Sequence, residues 1–346
     1  MSRSGIAVVM LLLPSCSLET GGLGSGGGTV GSSTSDGPFP GTTSAEGTSS
    51  GDATSSTGTV DTTAEGSGSG SSSGDTGEEP LPPPPPYVDI RPVSVLNDPS
   101  ADEDDPTLRR DQLEIIFASD RRGSQNLYRA VRASVNEDFS EPLPLGSGIN
   151  TPDEETTPEL SSDGELLLFA RNGGAQGFEI YYTTRSSAMS TSWASPLLLT
   201  DLSSPGIESA ATPQADGITL LWCSDRRRVG SGLDIWRGIL DQAAVTVMTE
   251  GLVAELSSDA LDCPGNSSDD MTWLLLESQR EGTTGGSDIW MAQRRADGAG
   301  YWPPFNVAEL NTAGFDGDPW VTEDLSTLYF ATDRDGSMDI YVATTR

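Results

Sequence analysis

The chain has 346 residues, with 52 acidic side chains against 19 cationic ones and a formal net charge of −33. Every cationic residue is arginine, because the sequence contains neither histidine nor lysine. The absence of these two residues excludes Ser-His-Asp and Cys-His catalysis, imidazole metal ligands, Schiff-base chemistry and the Walker phosphate loop. The excess of acid repels a phosphate backbone, so we expect no nucleic-acid binding.

Residues 1–15 have the pattern of a signal peptide. A single basic residue, Arg3, precedes an apolar run at Gly5–Leu13 that is too short to span a bilayer. The next residues, Pro14-Ser15-Cys16, complete a segment that resembles a bacterial lipobox. The resemblance implies cleavage before Cys16, acylation of its thiol, and an outer-membrane lipoprotein that faces the periplasm or the cell surface. An ordinary secretory signal beside a free cysteine is the alternative.

Residues 16–86 are rich in Gly, Ser, Thr and Pro and contain almost nothing apolar to bury. Such a composition does not offset the entropy that ordering the chain would cost, so we expect a disordered tether after the acylated cysteine. The tether ends in Pro82–Pro86, which predicts a stiff polyproline spacer.

Residues 87–346 contain a five-fold internal repeat. The repeats include FASDRRGSQNLY, FARNGGAQGFEIY, WCSDRRRVGSGLDIW, LESQREGTTGGSDIW and FATDRDGSMDIY, and their first residues are 52 to 54 positions apart. Short β-branched and aromatic runs alternate with Gly/Asp turns, and no segment has a sustained helical period. Four strands in about 53 residues is the unit of a β-propeller blade.

The two ends of this region predict how the ring closes. The last repeat stops after Asp339–Arg346 without an outer strand, whereas residues 87–98 form a strand that belongs to no complete repeat. Pairing of the N-terminal strand with the last blade would complete that blade and remove exposed strand edges. The sequence therefore predicts an all-β, five-bladed β-propeller over residues 87–346.

The repeat pattern P-x-x-S-x-D-G, F-x-S-D-R-x-G, D-I-Y resembles the WD40-like repeats of the TolB-type propeller family. The resemblance implies a monomeric binding platform for an envelope protein or peptide, with membrane contact only through the lipid anchor. Together with the missing histidines, it leads us to expect no enzymatic activity and no cofactor, with a possible Ca²⁺ site as the exception. A carbohydrate-active propeller, either lectin-like or a glycoside hydrolase acting through paired carboxylates, is the alternative.

Acidic residues recur three positions before the Pro-containing position of the repeats. They are Glu103, Glu155, Glu208 and Asp316, and Leu261 takes this place in the fourth repeat. Inner strands line the channel of a propeller, so these side chains could form a carboxylate ring at one mouth. Such a ring could hold Ca²⁺ or a cationic ligand, and local capping of the loop that enters the inner strand is the structural alternative.

Two cysteines remain once Cys16 is assigned to lipidation. Cys223 lies on the second strand of the third repeat and Cys263 on the inner strand of the fourth. Adjacent blades could bring them together, so a disulfide is plausible in an oxidising compartment, and two buried free thiols are the alternative.

Overall fold

The structure is a computed structural model that describes residues 79–174, 177–230 and 232–345. These residues form twenty strands, and none of them is helical. The strands make five antiparallel sheets of four strands each. The predicted all-β, five-bladed propeller is confirmed.

The ring closes through the N-terminal strand, as the sequence predicts. Strand β1 (Tyr87–Pro92) pairs antiparallel with the last strand of the chain, with Tyr87 opposite Thr345 and Pro92 opposite Tyr341. The strand is shorter than the predicted residues 87–98, because the chain turns after Val93, whose N–H still donates to the Ile340 carbonyl at 2.9 Å. The outer edge of the fifth blade is therefore covered by this strand.

Each blade runs from an inner strand at the axis to an outer strand at the rim. The first blade is β2 (Glu103–Leu108), β3 (Glu114–Ser119), β4 (Asn126–Val131) and β5 (Leu143–Pro144), and the second is β6 (Glu154–Leu160), β7 (Leu166–Gly174), β8 (Gly177–Thr184) and β9 (Leu197–Leu198). The third is β10 (Glu208–Pro213), β11 (Thr219–Ser224), β12 (Asp234–Asp241) and β13 (Thr246–Leu252). The fourth is β14 (Asp262–Ser267), β15 (Trp273–Ser278), β16 (Asp288–Gln293) and β17 (Phe305–Asn306), and the fifth is β18 (Asp316–Val321), β19 (Thr327–Thr332) and β20 (Asp339–Thr345) with β1.

The apolar core lies in the seams between blades. The described residues contain five clusters of buried side chains; four of them join two neighbouring blades, and the one between blades two and three also includes Cys263 of blade four. At the seam of blades three and four, for example, Leu221 and Ile235 pack with Leu274, Leu276 and Trp290. Alternating residues of a strand face opposite sides of the blade. Each strand therefore contributes side chains to the seam with the preceding blade and to the seam with the following blade.

All five inner strands contain an irregularity at the same place. Their registers with the second strands shift at this point, as between Asp104 and Thr107 in the first blade. Residues with a left-handed backbone occupy the shift in four blades, namely Asp105, Thr157, Ala210 and Asp318, with φ between 42° and 52°. A bulge of this kind re-aims side chains, and here it lies where the inner strands approach the axis.

The polyproline segment contacts the propeller. Leu81 donates its N–H to Gln293 Oε1 at 2.8 Å, and Tyr87 donates its N–H to Glu309 Oε1 at 3.0 Å. Pro84 and Pro85 share clefts with Trp273 and Phe305 on blade four. The part of the predicted tether that the structure describes, residues 79–86, therefore follows the surface of the propeller.

Deletion of residues 1–92 removes β1 and exposes the edge of β20. We expect a large fall in the melting temperature and aggregation, because the fifth blade loses a strand and the ring loses its closure. Thermal unfolding with light scattering measures both effects, and a chain that starts at residue 79 is the control. An equal melting temperature for the two truncated chains would contradict this role of β1.

Candidate functional site

The acidic residues that the repeats place before the inner strands are buried in contacts with arginine. In the first blade, Arg121 Nη2 donates to Glu103 Oε1 at 2.9 Å and also to the Leu96 carbonyl, while its Nε donates to Ser119 Oγ at 3.0 Å. The guanidinium lies over the rings of Phe117 and Tyr128. We call this arrangement of one arginine, one carboxylate and one loop carbonyl the clasp.

The clasp recurs once in each blade. Its other four arginine–carboxylate pairs are Arg171–Glu155, Arg226–Glu208, Arg280–Asp262 and Arg334–Asp316, at distances from 2.6 to 2.9 Å. All five carboxylate side chains are fully buried. Each arginine also reaches the carbonyl of the loop that leads into the inner strand, so the clasp ties this loop to the turn after the second strand, or, for Arg171 of blade two, to β7 itself.

The structure therefore places Glu103, Glu155, Glu208 and Asp316 in separate clasps rather than together around an open mouth. Burial, opposed by hydrogen bonds and the arginine charge, raises the pKa of Glu103, Glu155 and Glu208. In the part of the chain that the structure describes, no group of three or more Cys, Asp or Glu side chains is arranged to hold a metal ion. The calcium alternative thus has no ligand set among these residues.

In the fourth blade the carboxylate of the clasp belongs to Asp262 rather than to the position of Leu261. Asp262 pairs with Ser278 as Glu103 pairs with Ser119, whereas the repeat alignment on proline assigned the position to Leu261. The reason is that Pro264 lies at the bulge itself, one position earlier than the prolines of the other inner strands. All five blades consequently carry an acid in the clasp.

A different set of carboxylates lies in the channel, centred on Asp105. Its carboxylate accepts the N–H of Thr157 at 3.0 Å and the hydroxyl of Thr156, both on the inner strand of the second blade. Asp105 and Asp318 both line a small channel cavity of about 20 Å³, to which Glu277 and Glu159 also contribute. The bulges of the first and fifth blades bring Asp105 and Asp318 to this cavity.

The charge of Asp105 acts on the other channel carboxyl groups. Burial and then the charge of Asp105 raise the pKa of Asp104 and of Asp318 well above the usual range. Burial raises the pKa of Glu277, although Ser287 and Asp318 donate hydrogen bonds to it. No arginine appears among the residues that line the cavity, so no ion pair there offsets the effect of burial on these pKa values.

Glu159 lines the same cavity as the other channel acids and is half-buried. Its two carboxyl oxygens accept hydrogen bonds from Thr107 Oγ1 and Thr212 Oγ1, both at 3.2 Å. Burial, with a smaller contribution from the charge of Asp105, raises the pKa of Glu159 to about 8. The channel therefore contains Asp105, which accepts hydrogen bonds from two donors, and a carboxyl group at Glu159 that burial makes a weaker acid.

The repeat pattern did not single out these channel residues as a group. Asp105 and Asp318 only flank the recurring acids in the sequence, and Glu159 and Glu277 occupy positions that are apolar or neutral in other repeats. The sequence feature that could have identified two of the channel acids is an aspartate directly before the proline of the inner strand. It occurs in Asp105-Pro106 and Asp318-Pro319.

The two cysteines of the propeller lie on neighbouring blades. Cys223 on β11 and Cys263 on β14 are joined by a disulfide, with their Cα atoms 5.0 Å apart. The bond links the second strand of blade three to the inner strand of blade four, beside the channel cavity that Cys263 helps to line.

The proposed lipidation site, Cys16, lies outside the described residues, as do the signal peptide and most of the tether. In the described ranges, no helix has the length and apolar character needed to cross a membrane.

The sequence matches no protein-family model and no curated protein. Solved structures do match. TolB from Acinetobacter baumannii is 17% identical with a TM-score of 0.47, and the match covers 73% of this chain but only 56% of the TolB chain. A GH62 α-L-arabinofuranosidase catalytic domain from Coprinopsis cinerea is 11% identical with a TM-score of 0.53, and the match covers 77% of this chain and 98% of that chain. An endo-arabinase from Bacteroides thetaiotaomicron is 14% identical with a TM-score of 0.51, and the match covers 74% of this chain and 96% of that chain.

These identities show the fold alone: the protein is a five-bladed β-propeller, a fold that it shares with glycoside hydrolases. The expectation that the protein is not an enzyme is wrong as an inference from its composition, since several of the matched structures are arabinose-releasing or arabinan-cleaving enzymes. Glycoside hydrolysis requires carboxyl groups rather than histidine. The missing histidines therefore do not separate a scaffold from an enzyme on this fold.

Replacement of Glu208 by Gln tests the structural role of the clasp. The change leaves Arg226 facing a neutral group in a buried site, and we expect unfolding to become easier by about 3 kcal/mol. Urea denaturation measures the difference. Glu250→Gln, which breaks the partly exposed pair with Arg237, is the matched control and should cost less than 1 kcal/mol. Equal stability of Glu208→Gln and the wild type would contradict the role of the clasp.

The channel carboxyl groups also predict how stability depends on pH. The folded-state pKa of Glu159, about 8, lies above its unfolded value of about 4.5, so the folded chain holds a proton that the unfolded chain releases. This contribution is complete below pH 4.5 and is lost as the pH rises to about 8; Asp104, Asp318 and Glu277 act in the same direction. We expect the urea midpoint to fall between pH 5 and pH 8.5, and to fall less in Glu159→Gln. The exposed Glu165→Gln variant is the control, and an unchanged slope in Glu159→Gln would refute the assignment.

Proposed function

We propose that this propeller is a glycoside hydrolase that acts through the carboxyl groups of its central channel. The observation that supports the proposal is that Asp105 and Glu159, on neighbouring inner strands, line one channel cavity in different surroundings, and that burial raises the pKa of Glu159 to about 8. Glycosidases use a pair of carboxyl groups whose different surroundings give them different roles.

The contacts of each residue suggest its role. Asp105 accepts hydrogen bonds from the Thr157 N–H and the Thr156 hydroxyl, which orient it to accept a proton from a water molecule or to stabilise positive charge on a sugar ring. Burial raises the pKa of Glu159 to about 8, and the residue is half-buried, so it can donate a proton to the oxygen of the departing group.

The matched hydrolases suggest the first substrates to test, which are α-L-arabinofuranosides and arabinan. The envelope location and the acyl anchor at Cys16 remain part of the proposal, and they rest on the sequence of the signal segment. A glycan-acting domain on a tether could reach polymers away from the membrane.

A cationic peptide is a second candidate ligand, favoured by the same observation that the channel acids have no arginine among them. Such binding would weaken steeply as salt is added, because the attraction is electrostatic. Hydrolysis of a neutral glycan would depend far less on ionic strength, so a salt series separates the two functions.

The hydrolase proposal predicts release of reducing sugar from arabinan or arabinose from a nitrophenyl α-L-arabinofuranoside, or from another glycan of a polysaccharide panel. Asp105→Asn and Glu159→Gln should each lower kcat by about 10²–10⁴-fold, because each removes one of the two proton-transfer groups. Glu165→Gln should retain full activity, and circular dichroism should show that all variants are folded. No release from any glycan by the wild type, or full activity in both channel variants, would overturn the proposal.

A further inference from the structure

The proline-rich segment before β1 is attached to blade four at both of its ends. Leu81 donates its N–H to Gln293 Oε1 on β16 at 2.8 Å, and Tyr87 donates its N–H to Glu309 Oε1, after β17, at 3.0 Å. The five prolines between these two residues have no N–H, so the flanking amides are the hydrogen-bond donors that the backbone of this segment can offer. We call the segment from Leu81 to Tyr87 the strap.

The contacts of the strap recur at every third residue. Leu81 and Tyr87 supply the two donors, Pro84 lies midway between them and is half-buried, and the other four prolines are exposed. Consecutive prolines favour a polyproline II helix, which has three residues per turn. Residues 81, 84 and 87 occupy equivalent positions on successive turns of such a helix, so the strap contacts the propeller once per turn.

The surface under the strap is aromatic. Trp273 and Phe305 make an edge-to-face pair, with their ring centroids 6.1 Å apart. Pro84 lines one cleft with Trp273 and another with Phe305, and Tyr87 is buried in the cluster that contains both aromatic residues. Proteins recognise proline-rich segments on aromatic-lined surfaces, because the polyproline II helix is already ordered before it binds.

We infer that the outer face of blade four is a polyproline-recognition surface and that its ligand is the strap of the same chain. A ligand on the same chain has a high effective concentration, so a few contacts are enough to hold it. The docked strap fixes Tyr87, the first residue of β1, where this strand pairs with Thr345 of β20. The strap therefore protects the strand that closes the ring, a role that does not depend on the proposed hydrolase activity.

Hydrogen–deuterium exchange of the full chain tests the inference at two amides. A peptic peptide of residues 79–87 has exchangeable backbone amides only at Leu81 and Tyr87, because Pro80 and the strap prolines have none. We expect both amides to exchange at least about ten-fold more slowly in the folded protein than in the unfolded chain, since each one is hydrogen-bonded.

A matched pair of substitutions separates recognition from chain stiffness. Pro84→Gly and Pro83→Gly remove the same restraint on the backbone and add one glycine amide each, but Pro84 is half-buried and Pro83 is exposed. Exchange at Leu81 and Tyr87 should become at least about five-fold faster in Pro84→Gly and should change by less than about two-fold in Pro83→Gly.

Gln293→Leu is a second variant, and it leaves the strap sequence unchanged. It removes the acceptor for the Leu81 N–H, so exchange at this amide should become about five-fold faster, whereas Gln279→Leu on the same blade should not affect it. Exchange of the wild-type Leu81 and Tyr87 amides at the unfolded rate would overturn the inference. Equal effects of Pro83→Gly and Pro84→Gly, or an unchanged Leu81 amide in a folded Gln293→Leu variant, would overturn it as well.

Discussion

The arginine–carboxylate clasp is the interaction on which the rest of the propeller depends. It joins three parts of every blade, namely the loop that enters the inner strand, the first residue of that strand and the turn after the second strand. Each guanidinium also covers aromatic side chains, as Arg226 covers Trp222 and Trp236, so it shields its own ion pair from water. A buried pair of this kind contributes specificity to the geometry and becomes costly when one partner is lost.

The clasps also explain why the acid of the channel has no compensating cation. The chain has no lysine, and each blade uses one arginine in its clasp and others in pairs further out, such as Arg185 with Glu114. The bulge of each inner strand brings one side chain towards the axis of the propeller. In the first and fifth blades this side chain is an aspartate, Asp105 or Asp318. Without a cation there, burial and mutual repulsion raise the pKa values of the surrounding carboxyl groups.

The repeated sequence pattern was enough to predict the fold, because five copies of it specify the strand order, the number of blades and the closing strand. It was not enough to predict the channel site, because the site is built from residues in which the repeats differ. Asp105, Glu159 and Glu277 come from three blades and from three different positions of the repeat. The left-handed backbone at Asp105 and Thr157 carries no glycine signal, so the bulge that aims them at the axis is invisible in the sequence. In the fourth blade Pro264 lies at the bulge itself, two residues after the clasp carboxylate instead of three. Alignment on proline therefore selected Leu261 instead of Asp262.

The central claim is that burial and the neighbouring charge of Asp105 raise the pKa of the channel carboxyl groups, that of Glu159 to about 8. Carbon-13 NMR of protein labelled at the Asp and Glu side-chain carboxyl carbons follows each titration directly. The account predicts a Glu159 resonance that titrates near pH 8 in the wild type and at lower pH in Asp105→Asn, where the neighbouring negative charge is removed. Titration of every carboxyl resonance below pH 5 in the folded wild-type protein would contradict it.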